Sequence, residues 1–388
     1  MTELPISDWN YPTRMRVGAG RINELAEVCK ELGMSAPLLV TDPGLAALPM
    51  LEEAAQQCRD TGLRCELFSD IKGNPTAGNI EAGIAAFREK NCDGVIAFGG
   101  GSALDAGKTI ALMGGQKITL WELEDKGDNW TRADTSVMAP VVAVPTTAGT
   151  GSEVGRAAVI TDAEHKAKKI IFHPNMLPRQ VILDPQLTVG LPAKLTAATG
   201  MDALSHNLEA LCANAYHPMA EGIAVRGIEL VKNFLPRACE NGSDLEARTQ
   251  MLVASSMGAT AFQRGLGAMH ALSHSLGALY DSHHGLLNAI VMPYVLKANE
   301  RAVNKTLAAA AAAIGLQAQS YSGFMDWVLE LRARVGIPDN LAEIGITAAE
   351  AERVGEMAVQ DSAAAGNPIS FSAAEYSTIF SAAVDGRL

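Results

Sequence analysis

The sequence predicts an α/β N-terminal domain with a mainly parallel sheet, at residues 1–188, and an all-α C-terminal domain at residues 189–388. Over residues 22–190, short β-branched runs alternate with helical patterns, which is typical of parallel strands joined by crossover helices. After Pro192, Ala, Leu, Met and Glu recur at three- and four-residue spacing, and no strand pattern remains. The boundary is placed near residue 188 because the pattern changes there.

Each element of the first domain is predicted from its own apolar pattern and from the turn residues that bound it. Helical spacing predicts helices at residues 21–32, 51–61, 77–89 and 103–113. Strand-like runs predict strands at residues 37–42, 65–68, 94–98, 141–144, 157–161, 169–172 and 180–183. Turns separate the last four runs, so the second half of the sheet should be less regular.

The composition is typical of a globular enzyme. The chain has 388 residues, 48% of them hydrophobic and 19% charged, which is enough for two domains and too apolar for a disordered chain. A formal net charge of -12 argues against binding to nucleic acid or anionic membranes. No signal-peptide pattern and no apolar run of the roughly 20 residues that a membrane span needs is visible. We therefore expect a cytoplasmic protein whose partners are small molecules.

Cysteine usage suggests neither a zinc ribbon nor a redox dithiol. The six cysteines are scattered and none forms a CxxC pair, which is the spacing that both kinds of site use. We expect reduced thiols.

Two loops rich in small residues follow predicted strands. In the first, strand 94–98 runs into residues 99–102 at the start of a helix, whose exposed N–H groups favour a pyrophosphate. The loop matches neither GxGxxG nor the P-loop motif, so a glycine turn in which Ser102 caps the helix stays an alternative. The second loop, residues 145–153, is dense in hydroxyl groups. Open α/β sheets bind nucleotides at such strand ends.

Asp42 stands at the end of another predicted strand. Its carboxylate could accept hydrogen bonds from an adenosine ribose and would repel a 2'-phosphate, which favours NAD over NADP. The alternative is a turn or helix-capping aspartate in Asp42-Pro43-Gly44.

The second domain carries an excess of candidate metal ligands. Asp202 and His206, like His270 and His274, are four residues apart, so each pair would lie on one face of a helix. His283 and His284 follow. A continuous helix would separate His270 from His284 by roughly 21 Å, so both can bind one ion only if the chain turns back. Such a break is plausible at Gly277, Asp281, Ser282 and Gly285.

Spacing alone leaves the ligand set open. Asp202 could instead cap a helix after Gly200, and the adjacent His283 and His284 point differently, so one of them is expected to be a ligand. The remaining histidines are expected to be hydrogen-bonded residues outside the site: His165, His173 and His217.

Four segments together resemble the iron-containing (group III) alcohol dehydrogenases. They are FGGGSALDAGK, PTTAGTGSEV, ATGMDALSHNLEA and HALSHSLGALYDSHHG, in the same order along nearly the whole chain. The resemblance implies a dinucleotide-binding first domain and a metal-binding second domain. It implies that the metal ligands are Asp202, His206, His270 and His284. His274 then matches a non-ligand histidine beside the nicotinamide, and His283 looks incidental. The positions that match the family's cofactor contacts are Asp42, Asn74, Gly100, Gly101, Ser102, Asp105, Thr146, Thr147 and Lys168.

The implied activity is hydride transfer between an alcohol carbon and C4 of NAD, in an alcohol dehydrogenase or aldehyde reductase. A divalent metal, Fe²⁺ by resemblance or Zn²⁺ by ligand type, would act as the Lewis acid, and His274 would relay the hydroxyl proton. A homodimer or larger homo-oligomer is the family's expectation. The alternatives are a glycerol, polyol or hydroxy-acid dehydrogenase on the same scaffold, a dehydroquinate synthase-like lyase, a metal-dependent hydrolase and a non-catalytic nucleotide sensor.

The chain departs from the family pattern after the threonine loop. Many members read GSEVT, whereas this chain reads GSEVG, followed by Arg156. A guanidinium pairs with planar anions, so Arg156 could bias the enzyme toward aldehydes that carry an anionic group. The alternative is a surface or dimer-contact arginine.

Overall fold

The structure is a computed structural model that describes Tyr11, residues 13–165 and residues 167–388. Its described residues form two compact units. The α/β unit comprises residues 13–147 and 151–190, and the helical unit comprises Tyr11, residues 148–150 and residues 191–388.

The α/β unit contains eight strands and five helices. The strands are β1 (Arg14–Val17), β2 (Pro37–Val40), β3 (Glu66–Phe68), β4 (Gly94–Gly99), β5 (Val141–Pro145), β6 (Ala157–Asp162), β7 (Ala167–Phe172) and β8 (Gln180–Leu183). The helices are α1 (Leu25–Glu31), α2 (Pro43–Ala46), α3 (Pro49–Asp60), α4 (Ala77–Glu89) and α5 (Gly101–Met113).

Six strands form one parallel sheet in the order β1-β8-β5-β4-β2-β3. Every residue of β2, β4, β5 and β8 is buried. Helices cover both faces of a parallel sheet, so its strands are continuous apolar runs. The chain leaves β2 toward β3 on one side and leaves β4 toward β5 on the other. Strand order therefore reverses between β2 and β4, where sheets of this kind bind ligands.

The second half of the α/β unit is less regular than the first, as predicted, but two of its strands lie outside the main sheet. Strands β6 and β7 pair only with each other, in an antiparallel ribbon separate from the main sheet. Strand β1, which pairs with β8 at the sheet edge, was not among the predicted strands. Its residues are exposed or half-buried because Arg14 and Arg16 interrupt any apolar run, and Arg16 forms ion pairs with Glu24 and Glu31.

The helical unit contains eight helices and no strand between residues 191 and 388, as the sequence predicts. They are α6 (Ala193–Cys212), α7 (Pro218–Glu240), α8 (Leu245–Ala261), α9 (Ala268–Tyr280), α10 (His284–Ala313), α11 (Tyr321–Arg334), α12 (Ala351–Gln360) and α13 (Ala373–Asp385). Every residue of α6 from Thr196 to Leu211 is buried, and α7, α8 and α10 pack against it. Helix α6 is therefore the central element of this unit.

None of the described helices combines the length and apolar character needed to cross a bilayer. All six cysteines are free thiols. The α/β and all-α composition confirms the predicted fold class.

Candidate metal centre and cofactor loops

Four side chains from three helices converge in the helical unit. Asp202 and His206 lie one turn apart on α6, His270 lies on α9, and His284 begins α10. One potential ligand atom from each lies within 4.8 Å of the others. The structure thus brings together the four residues that the resemblance implied as ligands.

The chain turns back between α9 and α10, as the distance argument required. Helix α9 ends at Tyr280, and Asp281 adopts a left-handed conformation with φ of 50°. His283 caps α10 by accepting a hydrogen bond from the Leu286 N–H. The break lies at residues 281–283, whereas two of the four residues suggested for it, Gly277 and Gly285, lie inside helices.

Close packing of α10 on α6 sets the spacing of the cluster. A Cβ atom built at Gly285 would lie 2.5 Å from the carbonyl oxygen of Ala198 and 2.9 Å from Cβ of Asp202. Only glycine allows this approach. Asp202 lies within α6, so the alternative that it caps a helix is wrong.

Glu209 also contacts the four-residue cluster, through His270, and was not among the residues predicted from the sequence. Its carboxylate accepts hydrogen bonds from His270 Nδ1 at 2.6 Å, from the Gly267 N–H at 2.7 Å and from the Met269 N–H at 2.6 Å. The proton on Nδ1 leaves His270 Nε2 unprotonated in the neutral ring, and this is the state a metal ligand needs. Glu209 follows Asp202 and His206 on one face of α6, and the spacing Asp-x-x-x-His-x-x-Glu was the available signal.

Asn288 also contacts the cluster, one turn after His284 on α10. Its Nδ2 lies 2.9 Å from Asp202 Oδ1 and 3.2 Å from Nε2 of both His270 and His284. Its Oδ1 is buried and has no hydrogen-bond partner among the described residues. The Asn288 amide therefore donates a hydrogen bond to the Asp202 carboxylate.

The electrostatics of the cluster suit a cation. Burial lowers the pKa of His206 to about 4, so this ring is neutral at neutral pH and keeps a lone pair. Burial also opposes protonation of His270, but the carboxylates of Glu209, Asp202 and Asp361 together raise the pKa of His270 above its usual value. Three imidazoles and a carboxylate form a donor set that fits Fe²⁺ or Zn²⁺.

His274 lies beside this cluster but is not one of the four. Its ring stacks on that of His284, with centroids 5.3 Å apart and an angle of 16°. Its Nδ1 lies 3.0 Å from Asp361 Oδ2. Burial raises the pKa of Asp361, but His274 and the Ala363 N–H outweigh it, so the pKa lies below the usual value.

The other histidines lie outside the cluster. His173 and His217 are buried and accept hydrogen bonds from the N–H groups of Asn175 and Ala220. His165 pairs with Asp162 on the β6–β7 ribbon.

The glycine loop and Asp42 meet where strand order reverses. Gly99 ends β4 with φ of 149°, and a Cβ atom there would lie 2.7 Å from Cβ of Ala103 and 3.8 Å from Asp42 Oδ2. Gly100 precedes the first turn of α5, so Ser102 is not its cap; the Ser102 hydroxyl donates instead to the Gly73 carbonyl. The N-terminus of α5 lies at this reversal, and a helix N-terminus suits an anionic group.

Asp42 has a structural role in the same place. Its Oδ1 accepts hydrogen bonds from the N–H groups of Gly44 and Leu45 at 2.9 and 3.0 Å, so it caps α2. The capping alternative is therefore observed, and contact with a ribose stays a prediction.

The remaining candidate cofactor residues divide into two groups. Thr147 lies against Gly100. Asn74 follows Gly73, the residue that accepts the Ser102 hydrogen bond, and Lys168 Nζ donates to Asn74 Oδ1 at 2.9 Å. Asp105 instead accepts hydrogen bonds from the Ser152 hydroxyl and the Val159 N–H and forms an ion pair with the buried Lys108. These contacts hold α5 and the ribbon together. Thr146 is buried, and its N–H donates to the Gly99 carbonyl.

Gly285→Ala is expected to lower both thermal stability and metal affinity. The added methyl group must push α10 away from α6, which moves His284 from Asp202, and such overpacking costs about 1–3 kcal/mol. Thermal unfolding and metal titration measure the two effects. Gly222→Ala is the matched control, because Gly222 lies inside α7 with open space around it; it should gain up to about 1 kcal/mol. Unchanged behaviour of Gly285→Ala would contradict the close helix crossing.

Comparisons with known proteins identify relatives over nearly the full length. Residues 12–185 match the family model "Iron-containing alcohol dehydrogenase", and residues 196–384 match "Fe-containing alcohol dehydrogenase family, C-terminal". A 4-hydroxybutyrate dehydrogenase of Cupriavidus necator is 38% identical over 94% of this chain and 97% of its own length. A 1,3-propanediol dehydrogenase of Klebsiella pneumoniae is 35% identical over 96% of this chain and 97% of its own length.

Solved structures of dehydrogenases and reductases also resemble this chain in fold over nearly its full length. A 1,3-propanediol oxidoreductase has a TM-score of 0.92 at 34% identity and covers 97% of this chain and 99% of its own. A sulfoacetaldehyde reductase from Bifidobacterium kashiwanohense, solved in complex with NAD+, has a TM-score of 0.88 at 26% identity and covers 97% and 98%. The chain therefore belongs to the iron-containing alcohol dehydrogenase family, and this membership confirms the predicted reaction class, an NAD-linked alcohol dehydrogenase or aldehyde reductase.

Proposed function

We propose that this chain interconverts alcohols and aldehydes with NAD(H) and a divalent metal, Fe²⁺ in preference to Zn²⁺, held by Asp202, His206, His270 and His284. The observation that carries the proposal is the convergence of four ligand atoms within 4.8 Å of one another. When bound, the metal would supply Lewis acidity toward the substrate oxygen, and NAD would exchange the hydride.

The protein's own residues would handle position, charge and the proton. Glu209 holds the His270 ring through Nδ1, which keeps Nε2 directed to the other ligands. His274, next to the cluster, would accept the hydroxyl proton of the alcohol at its free Nε2 and return it in the reverse reaction.

The nucleotide would bind at the strand-order reversal of the α/β unit. The N-terminus of α5, with Gly100, Gly101 and Ser102, would bind the pyrophosphate, and Asp42 would favour NAD over NADP. The other contacts that we propose are Asn74, Asp105, Thr146, Thr147 and Lys168.

A substrate panel tests the activity directly. Protein reconstituted with Fe(II) or Zn(II) is assayed with short alcohols and aldehydes, using NAD(H) and NADP(H), by absorbance at 340 nm. We expect turnover with NAD(H) that is lost on chelation and regained on adding metal. A flat panel would overturn the assignment and favour a metal-dependent hydrolase, which predicts no absorbance change.

We further propose that Arg156 favours aldehydes with an anionic group. Its guanidinium lies over the Phe172 ring, 5.6 Å from the centroid, and none of the described carboxylates forms an ion pair with it. Two relatives are named for anionic substrates, 4-hydroxybutyrate and sulfoacetaldehyde.

Arg156→Ala is expected to lower kcat/KM about 10- to 100-fold for an anionic aldehyde and to spare a neutral aldehyde of equal length. The reason is the loss of a charge-assisted hydrogen bond worth about 1.5–3 kcal/mol. Steady-state kinetics on the two substrates measure it, with Arg156→Lys as the charge-conserving control. Equal losses on both substrates would contradict the role.

The proposal also includes a cytoplasmic location and a homodimer or larger homo-oligomer, the second of which the resemblance implies. Light scattering on the purified protein measures the assembly.

A further inference from the structure

Asp361 has a fixed place next to His274. It follows the last residue of α12, and its Oδ1 accepts a hydrogen bond from the Ala363 N–H at 2.8 Å. Its Oδ2 lies 3.0 Å from His274 Nδ1. The two side chains are 15% and 11% exposed. Because one carboxylate oxygen is anchored to the backbone, the other has a defined direction toward the ring.

This contact determines the tautomer of His274. An ionised carboxylate only accepts hydrogen bonds, so His274 Nδ1 must carry the proton, and Nε2 is the bare nitrogen of the neutral ring. The parallel stack on His284 fixes the plane of the same ring. Two independent contacts thus orient the one nitrogen that can take up a proton.

The same arrangement occurs one turn earlier on α9. Glu209 binds Nδ1 of His270, and Asp361 binds Nδ1 of His274. His270 belongs to the group of four residues whose potential ligand atoms converge, and His274 does not. Two histidines of one helix are therefore each held by their own carboxylate, one within the four-residue group and one beside it.

We propose that Asp361 is the positioning residue for proton transfer by His274, an inference that rests on the proposed function. In alcohol oxidation, the hydroxyl proton would pass to His274 Nε2, and oxidised NAD, when bound, would be the acceptor for the hydride and its two electrons. Asp361 keeps the Nδ1 proton on the ring and stabilises the imidazolium by charge, without taking the proton itself. Solvent then receives the proton from Nε2, and aldehyde reduction runs the steps in reverse.

Asp361→Asn is expected to lower kcat about 100-fold or more, since general acid–base catalysis contributes about 10²–10⁴-fold, with KM and metal content unchanged. The asparagine amide can donate to Nδ1 and so favours the wrong tautomer. Asp361→Glu should restore part of the rate. Asp244→Asn is the matched control, because Asp244 caps α8 and pairs with Arg237; it should cost stability and leave kcat unchanged.

Nitrogen NMR supplies a readout that does not depend on turnover. In Zn(II)-loaded protein with ¹⁵N-labelled histidine, the signals that disappear in His274→Gln belong to His274. We expect Nδ1–H with bare Nε2 in the wild type and a larger Nε2–H population in Asp361→Asn. An Nε2–H tautomer in the wild type, or an Asp361→Asn variant with unchanged tautomer and kcat, would overturn the inference.

The variant His274→Gln distinguishes this failure from a failure of the proposed function. If His274→Gln loses rate and Asp361→Asn does not, only the role of Asp361 is wrong. If His274→Gln keeps full rate, the proton relay is wrong and the inference falls with it.

Discussion

His270→Ala is expected to abolish both tight metal binding and dehydrogenase activity, whereas His283→Ala should leave both unchanged. His270 is buried and contributes one of four convergent potential ligand atoms, so its loss would leave a bound metal with three of the four proposed ligands and would leave Glu209 without its imidazole donor. His283 is exposed and caps α10. The two variants remove the same side chain from neighbouring parts of one motif.

Metal content after dialysis and turnover with NAD and an alcohol measure these effects. We expect His284→Ala to behave like His270→Ala, because His270 and His284 both belong to the group of four residues whose potential ligand atoms converge. His283→Ala should lose only the small free energy of one helix cap, about 1 kcal/mol. A His270→Ala variant with wild-type metal content would refute the ligand set, and a His283→Ala variant without metal would refute the division of roles.

Glu209→Gln is expected to weaken metal binding about 10- to 100-fold, the usual cost of losing a partner that orients a metal ligand. It should also destabilise the metal-free protein by about 1–3 kcal/mol. One carboxylate accepts three hydrogen bonds in a buried place, whereas the glutamine amide has one accepting oxygen and presents a donor to another donor. The N-terminal turn of α9 and the His270 ring then compete for a single acceptor.

Chelator competition measures the affinity, and denaturant unfolding of the metal-free protein measures the stability. Glu229→Gln is a suitable control, because Glu229 lies on α7 and pairs with Arg226 at the surface, where such pairs contribute little. Metal affinity equal to the wild type would show that His270 holds its orientation without Glu209.

Much of the fold follows from local pattern. The continuous apolar runs of β2, β4, β5 and β8 were recognisable because both faces of a parallel sheet are buried. Strand β1 was missed because an edge strand can satisfy its hydrogen bonds with little burial, and its arginines hide it. The β6–β7 ribbon was recognised as strands, but partner choice depends on tertiary packing, which a local pattern does not contain.

Some residues of the candidate site could likewise be predicted from the sequence, and others could not. Helical spacing paired Asp202 with His206, and the length of a helix required the break before His284. Family resemblance then chose between His283 and His284. Glu209 could have been found from its spacing on α6. Asp361 could not, because it reaches His274 from a segment 87 positions away in the chain, and nothing in its local sequence distinguishes it from a helix-capping aspartate.

The short joint between α9 and α10 gives a bound metal a second consequence. Because the four ligands come from three helices, the ion would act as a cross-link that the unfolded chain lacks. The stability of the helical unit would then follow the free metal concentration by mass action, with a gain of about 2.7 kcal/mol when that concentration is 100 times the Kd. Scarcity of metal would thus reduce the abundance of folded enzyme as well as its turnover.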